Sequence, residues 1–160
     1  MLHINIICVG KIKESFFKDA IDEYSKRLSK YCQLNITELN DEKIPNNASE
    51  KENSIVKDKE GKNILNSIKK DSYIICMDLN GKQLSSEEFA DKINNISINY
   101  NGSITFIIGG SLGLSNDVLS IANEKISFSK MTFPHQLFRV VLLEQIYRAF
   151  KIINNETYHK

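Results

Sequence analysis

The chain is poor in the residues that build metal and disulfide sites. Its 160 residues include no tryptophan and three cysteines, Cys8, Cys32 and Cys76. The cysteines form no CxxC pair and no His/Cys cluster with the spacing of zinc ligands, so we expect no structural metal site. Cys8 and Cys76 stand in apolar, strand-like runs, which predicts buried free thiols and favours the cytoplasm as the compartment.

Long apolar runs are also missing. The chain's apolar runs, such as Val140 to Leu143, are far too short to span a bilayer, so we expect no membrane partner. Residues 1–10 are apolar but carry neither a basic leader nor a small-residue cleavage site, which indicates a first strand and not a signal peptide. The length fits a single domain over residues 1–160, and no internal repeat or low-complexity segment divides it.

Neither sign of charge dominates the chain. It carries 21 basic and 20 acidic side chains, a net charge of +1, which is no global signature of a nucleic-acid-binding protein. Residues 127–160 differ, with five basic and two acidic side chains. This modest basic region is compatible with phosphate contacts and equally with a solvated surface.

The glycine-rich stretch Gly109 to Gly113 matches neither of the common nucleotide-binding motifs. The dinucleotide fingerprint needs glycine at its third and sixth positions, where this chain has Ser111 and Leu114. The Gly-Lys-Ser/Thr ending of a nucleoside-triphosphate loop is absent as well. The glycines permit close approach of a planar ligand to the backbone, although a tight strand-to-helix turn explains them equally well.

Strand and helix patterns alternate along the chain. β-branched apolar runs predict strands, and apolar residues spaced by three and four predict helices. Asn80-Gly81 predicts a turn after the third strand, and Ser49 with Glu52 predicts a capping box at the start of the second helix. The predicted strands cover residues 2–9, 34–39, 72–79, 104–108 and 125–128, and the predicted helices cover residues 14–31, 48–68, 85–98, 114–122 and 134–153.

This alternation predicts an α/β domain with a mostly parallel sheet and helices on both faces. In such sheets ligands bind beyond the carboxyl ends of the strands. The pocket candidates are therefore the loops that follow residues 73–78, 104–108 and 125–128. The last of these loops, residues 128–133, alternates bulky and small side chains, and its backbone groups are suited to reading the edge of a purine. By their residue type alone, Met131 and Phe133 are more often core side chains.

Apolar side chains lie around most of the circumference of the last predicted helix, residues 134–153. A helix of this kind is buried on more than one side, which predicts a self-complementary homodimer interface. His135 and Arg139 are one turn apart near its start and can project to the same side. His135 is either a packing histidine or a catalytic one, and a buried Arg139 requires a carboxylate or a phosphate as its partner.

Several segments together resemble one family. Along essentially its whole length the chain is similar to the bacterial ribosomal RNA large-subunit methyltransferase H proteins, which belong to the SPOUT or α/β-knot superfamily. The segments that carry the resemblance are residues 7–13 (ICVGKIK), 109–113 (GGSLG), 127–136 (SFSKMTFPHQ), 139–150 (RVVLLEQIYRAF) and 158–160 (YHK).

The resemblance implies an enzyme that transfers a methyl group from S-adenosylmethionine to N3 of a pseudouridine in the 23S rRNA of assembled ribosomes. It also implies a homodimer and a C-terminal trefoil knot over about residues 72–160, a topology that pattern alone does not reveal because knots are rare. The cofactor-binding positions that it implies are Met77, Gly109, Phe128, Ser129, Lys130, Met131, Thr132 and Phe133.

The resemblance further implies that each active site combines the knot of one subunit with the C-terminal tail of its partner. His159 is then a candidate base or substrate contact, because an imidazole ordinarily titrates near neutral pH. Tyr158 is a candidate to stack on the target base, and Arg139 to hold a phosphate or orient the nucleotide. Two other classes stay open: a non-catalytic ribosome-associated factor that binds S-adenosylmethionine, and a generic nucleotide-dependent enzyme. Without the resemblance, a terminal Tyr-His-Lys would be interpreted as a frayed tail.

Overall fold

The computed structural model describes all residues, 1–160, as alternating strands and helices. The predicted order of these elements is confirmed, and all but one of their ends lie within about three residues of the predicted ones. The strands β1 to β5 are Leu2–Val9, Cys32–Leu39, Tyr73–Gln83, Ser103–Ile108 and Glu124–Ser127. The helices α1 to α5 are Ser15–Leu28, Glu50–Ser67, Ser86–Asn99, Asn116–Ile121 and His135–Ile153.

The five strands form one parallel sheet in the order β2-β1-β4-β3-β5. β1 pairs with β2 along its whole length, from Leu2 opposite Cys32 to Val9 opposite Leu39. The connection after β1 leads outward to β2, and the connection after the neighbouring β4 leads in the opposite direction to β5. The crevice between the carboxyl ends of β1 and β4 is therefore a topological switch point, the usual place for a ligand in such sheets.

Helices cover both faces of this sheet. α1, α3 and α5 enclose a buried cluster of 21 residues on one face, and α2 and α4 enclose a cluster of seven on the other. Neighbouring side chains of β1 lie on opposite faces of the sheet, since Ile6 belongs to the larger cluster and Ile7 to the smaller. A parallel sheet that is covered on both faces needs apolar side chains at successive positions, which explains the apolar run Ile6 to Val9 at the end of β1.

Side-chain caps determine the starts of three helices. The Ser49 Oγ accepts a hydrogen bond from the Glu52 N–H, and the Glu52 carboxylate accepts one from the Ser49 N–H, so the predicted capping box is confirmed. Ser85 and Glu88 form the same box at the start of α3, and Ser115 caps α4. Each cap satisfies N–H groups that have no partner inside the helix, so these starts are set by local sequence.

The turn predicted at Asn80-Gly81 does not end β3, which continues to Gln83. Met77 and Lys82 both lie opposite Ile126 of β5, so the residues between them form a bulge within the strand. A Cβ on the glycine would stand 2.7 Å from backbone atoms of Ile126, which leaves room for glycine alone. The predicted end at residue 79 is wrong because turn propensity is local, whereas pairing with β5 holds the chain on both sides of the bulge.

α5 lies between α1 and α3 on the larger core, which covers most of its apolar circumference within a single chain. Leu142, Leu143 and Ile146 are fully buried there, whereas Leu137 remains 39% exposed. The apolar character of α5 is therefore largely explained by the monomer, and the homodimer stays a prediction. None of the helices has the length and apolar character needed to cross a membrane.

Candidate functional site

The bulge of β3 and the loops after β4 and β5 close around one cavity of about 380 Å³. They contribute residues 78–80, residues 109–114 and most of residues 127–133, and α5 adds His135 and Phe138. Parallel strands bring their carboxyl ends to the same edge of the sheet, so loops that are distant in sequence meet there. The three segments that were predicted to form a pocket do form one, although the first of them is a bulge inside β3 and not a loop after it.

A larger and more open groove, of about 790 Å³, runs between α1 and the edge strand β2. Its lining comes mainly from that helix and that strand, with Arg139 at one end, and includes no glycine. The smaller cavity is the better candidate site, because ligand sites combine concave shape with polar groups that converge from several elements.

The loop after β4 is tight because its glycines leave no room for side chains. A Cβ on Gly109 would stand 2.9 Å from backbone atoms of Gly113. The Gly113 N–H donates to the Gly110 carbonyl at 3.0 Å, and Gly113 has a φ of 83°, in the left-handed region that favours glycine. The loop thus presents bare backbone to the cavity at its three glycines, beside the side chains of Ser111, Leu112 and Leu114.

The segment 128–133 leaves most of its peptide groups without a partner in the chain. The Met131 N–H donates to the Ser129 Oγ at 3.0 Å, and the Ser129 carbonyl accepts a hydrogen bond from the Ser127 Oγ at 2.9 Å. No backbone–backbone hydrogen bond involves the segment. Peptide groups need partners wherever water is excluded, so this loop can offer donors and acceptors to the polar edge of a ligand.

Apolar and aromatic side chains form the walls of the cavity. Phe128 meets Phe89 edge to face with ring centroids 5.6 Å apart, and its centroid lies 5.4 Å from that of Phe138. Met131 and Phe133 line the cavity although they are 75% and 36% exposed, which places them at its mouth. The interior suits a flat apolar body, and the mouth leaves apolar surface for another molecule to cover.

Seven of the eight predicted cofactor-binding residues line the cavity. The exception is Lys130, whose side chain is exposed and outside the lining. Asp78, Leu79 and Asn80 also line the cavity, and sequence reasoning placed this segment among the pocket candidates without naming them as site residues. Their position just beyond a buried strand segment was the signal that could have found them. The seven lining residues are Met77, Gly109, Phe128, Ser129, Met131, Thr132 and Phe133.

Arg139 does not line the cavity but joins α5 to the ends of β1 and β2. Its guanidinium, only 2% exposed, donates from Nη1 to the Glu38 Oε2 at 2.7 Å. Its Nη2 donates to the carbonyl oxygens of Gly10 at 2.6 Å and Val9 at 3.1 Å. The partner that a buried arginine requires is thus a carboxylate, and Nε alone has no partner in the chain.

His135 is half-buried and lines the cavity one turn before Arg139. Its Nε2 stands against Gly10, where a Cβ would lie 3.3 Å away. Burial lowers the pKa of His135, and the neighbouring Arg139 guanidinium lowers it further. A neutral imidazole that closes the wall between the cavity and the β1 loop agrees with the packing interpretation of this histidine.

Tyr158 and His159 are held against α5 and α3. The Tyr158 hydroxyl donates to the Glu144 Oε1 at 3.1 Å. The His159 Nδ1 lies 3.1 Å from the Arg148 Nη1, and its Nε2 lies 2.6 Å from the Glu87 Oε1. These contacts rule out a frayed tail, and neither residue lines the cavity of its own chain.

A buried carboxylate that no sequence pattern indicated lies behind the glycine loop. Glu60 of α2 is 5% exposed and accepts a hydrogen bond from the Glu42 N–H at 3.0 Å. Its Oε1 would lie 3.3 Å from a Cβ on Gly110. Burial raises the pKa of Glu60, and the carboxylates of Asp41 and Glu42 add to the rise. Sequence reasoning missed it because it stands in the most charged helix, where one buried glutamate gives no distinct signal.

Comparison with known proteins identifies the family. The family model described as "Predicted SPOUT methyltransferase" matches residues 2–159. The chain belongs to the SPOUT methyltransferase family. A protein from Clostridium beijerinckii named "Ribosomal RNA large subunit methyltransferase H" is 64% identical, over 99% of this chain and 100% of its own. A protein of the same name from Clostridium botulinum is 65% identical over the same shares of the two chains.

One solved structure shares the fold of this SPOUT methyltransferase. It is that of a probable methylase family protein from Haemophilus influenzae, with a TM-score of 0.51 and 14% sequence identity. The match covers 95% of this chain and 66% of that one. At this level of identity the likeness concerns the fold alone, and it agrees with the predicted α/β class.

The SPOUT methyltransferase has no group of three or more His, Cys, Asp or Glu side chains placed to hold a metal ion. Its three cysteines are free and buried, which confirms the prediction of buried thiols. Burial raises the pKa of Cys8 and Cys32 to about 11 and that of Cys76 to about 12. The thiols are therefore protonated at neutral pH and serve as packing groups.

Proposed function

We propose that this protein transfers a methyl group from S-adenosylmethionine to N3 of a pseudouridine in the 23S rRNA of assembled ribosomes. Its family and the names of its relatives support the coarser part of this activity, methyl transfer to the ribosomal RNA of the large subunit. The observation that carries the proposal is the cavity, where loops from three parallel strands bring together bare glycine backbone, unpartnered peptide groups and aromatic walls.

The cavity suits S-adenosylmethionine in size and chemistry. Its volume of about 380 Å³ falls in the range of roughly 300–1,000 Å³ usual for small-molecule sites. The peptide groups of residues 128–133 match the polar edge of adenine, and Met77, Ile126 and Phe128 match its apolar faces. Gly109 leaves the start of the loop after β4 without a side chain, and Lys130 would contribute through its backbone. When bound, the cofactor supplies an activated methyl group on a sulfonium sulfur.

Positioning is the main task that this chemistry leaves to the protein, because methyl transfer requires in-line approach of the nucleophile. The walls of the cavity would hold the methyl donor in one orientation. The target base would enter at the mouth beside Met131 and Phe133, whose exposed apolar surface is suited to cover a flat ring.

We propose a homodimer in which the tail of one subunit completes the cavity of the other. Within one chain Tyr158 and His159 are bound to Glu144, Arg148 and Glu87 and line no part of the cavity. A tail that takes part in the reaction would therefore serve the partner's cavity. The trefoil knot expected over about residues 72–160 belongs to the same proposal.

The two tail residues would take different parts in the reaction. Burial, followed by the Glu144 carboxylate, raises the pKa of Tyr158, so its phenol stays protonated and suits stacking and hydrogen-bond donation. His159 would take the N3 proton, or orient N3 while solvent takes it. Arg139 is committed to Glu38 and two carbonyl groups, so we assign it a positioning role behind the site.

The near-neutral charge supports recognition of a composite ribosomal surface instead of free RNA. A net charge of +1 provides little of the long-range attraction that drives tight binding to naked nucleic acid. We therefore expect weak, salt-sensitive binding to isolated rRNA and a cytoplasmic location with the ribosomes. Tight, salt-insensitive binding to isolated rRNA would contradict this part of the proposal.

The deciding experiment maps rRNA modifications by mass spectrometry in cells with and without this protein. We expect one methyl group to be lost from a pseudouridine of 23S rRNA and to return when purified protein and S-adenosylmethionine are added to the ribosomes. In parallel, calorimetry measures the affinity of the purified protein for S-adenosylmethionine. Cofactor binding without any change in modification would indicate a non-catalytic ribosome-associated factor, and absence of cofactor binding would overturn the assignment of the cavity.

A further inference from the structure

The loop after β1 carries two lysines that the proposed mechanism does not use. Lys11 and Lys13 are exposed, while Ile12 between them is only 7% exposed. Neither lysine takes part in an ion pair. Because Ile12 anchors the segment in the protein, the two ammonium groups on either side of it are displayed to solvent without an acidic partner.

Buried contacts hold this loop in one conformation. The Ile12 N–H donates to the Glu38 Oε2 at 2.9 Å, and the same oxygen accepts from the Arg139 Nη1 at 2.7 Å. Arg139 also binds the Gly10 carbonyl at 2.6 Å, and the Gly10 N–H donates to the Leu39 carbonyl at 2.7 Å. A loop fixed in this way loses little conformational entropy when its side chains bind a ligand.

The loop stands beside the cavity, at the switch point between β1 and β4. Gly10 lies against His135, which lines the cavity, and Val9 lies against Gly110 of the glycine loop. A polynucleotide whose base enters the cavity would continue past this edge of the sheet. Lysine binds phosphate as a flexible point charge, and such contacts position a nucleic acid without reading its sequence.

We propose that Lys11 and Lys13 bind backbone phosphates of the rRNA next to the target nucleotide, and that the Arg139–Glu38 pair holds their loop for this purpose. This inference rests on the proposed rRNA substrate. It makes Arg139 a positioning residue. Arg139 does not line the cavity but holds the loop that carries the two lysines.

The test compares Lys11→Gln/Lys13→Gln with Lys69→Gln/Lys70→Gln in methyl transfer to ribosomes. The control lysines are also exposed and close together, but they precede β3 and so lie toward the opposite edge of the sheet. We expect the first variant to raise KM for ribosomes about tenfold and to lower the slope of log KM against log salt by about two. The kcat, the affinity for S-adenosylmethionine and the control variant should stay at wild-type values.

A third variant, Lys11→Arg/Lys13→Arg, separates charge from local structure. Because arginine also binds phosphate, this variant should retain a KM within about threefold of wild type. Equal KM values and salt slopes for the wild type, the Gln variant and the control would overturn the inference while leaving the proposed function intact. Failure of the wild-type protein to methylate ribosomes would overturn both.

Discussion

The two ends of α5 carry similar side chains but use them in opposite ways. At the first end Arg139 is 2% exposed and bonds to two backbone carbonyls as well as to Glu38. At the second end the Arg148 side chain is 24% exposed and bonds only to the side chains of Glu144 and His159. The first arginine is bonded to backbone at the end of β1, and the second is bonded to side chains alone.

This difference shows which contacts can be exchanged when another molecule binds. A buried arginine that loses its partners leaves uncompensated polar groups, which costs several kcal/mol. A partly exposed pair can separate with little cost, because water replaces the lost partner. The first end of α5 is therefore suited to holding the β1 loop and the cavity in place, and the second end to releasing the tail toward a partner.

Replacing Arg139 tests the fixed end and should have the largest effect. Arg139→Met keeps much of the side-chain volume but leaves Glu38 and the carbonyls of Val9 and Gly10 without their donor. We expect the free energy of unfolding to fall by about 3 kcal/mol, at the lower end of the usual range because the Glu38 side chain is 37% exposed. Urea unfolding measures this change, and a loss below about 1 kcal/mol would place Arg139 among the exchangeable contacts.

Replacing His159 tests the exchangeable end through activity. His159→Asn should slow methyl transfer to ribosomes at least tenfold, about 1.4 kcal/mol in the barrier, while S-adenosylmethionine affinity is unchanged. His3→Asn, at an exposed histidine of β1, is the matched control and should keep the wild-type rate. If deletion of residues 157–160 also left rate and affinity unchanged, the tail would have no part in the reaction.

Replacing Arg148 sharpens the comparison in terms of stability. Arg148→Met removes the partly exposed pair with Glu144, for which we expect a loss of about 1 kcal/mol or less in the free energy of unfolding. Urea unfolding measures the free energy of unfolding of this variant, as it does for Arg139→Met. A loss as large as that of Arg139→Met would show that both ends of the helix are equally fixed.

The pH dependence of stability tests the first end again, with the smallest effect. Burial, followed by Arg139, lowers the folded-state pKa of His135 below its ordinary value of 6.5. The neutral imidazole thus contributes stability that is complete above pH 6.5 and declines as the pH falls toward the lower folded-state pKa. His135→Asn should lose less stability than wild type between about pH 7.5 and about pH 5.5 in thermal unfolding. An identical decline in both proteins would mean that His135 titrates alike in the folded and unfolded chains.

The elements of this fold were predictable where local chemistry determines them. Ser49 with Glu52 marked the start of α2, and the apolar run of β1 marked a strand covered on both faces. The bulge in β3 was not predictable, because Asn80-Gly81 has the same turn propensity whether or not β5 pairs beyond it. Most of the cavity was predictable from strand ends and the family resemblance, whereas the bulged conformation of Asp78 to Asn80 within it was not.

By itself the sequence determined the order of strands and helices, the caps, the buried thiols and the loops that form the cavity. These features depend on hydrophobic periodicity and on hydrogen bonds between residues a few positions apart. Only the tertiary structure decided that Arg139 supports the β1 loop, that Glu60 is buried behind the glycine loop, and that Tyr158 and His159 are bound to α5 and α3. Such roles depend on partners such as Glu38 and Glu87, which lie far away in sequence and are selected only when the chain has folded.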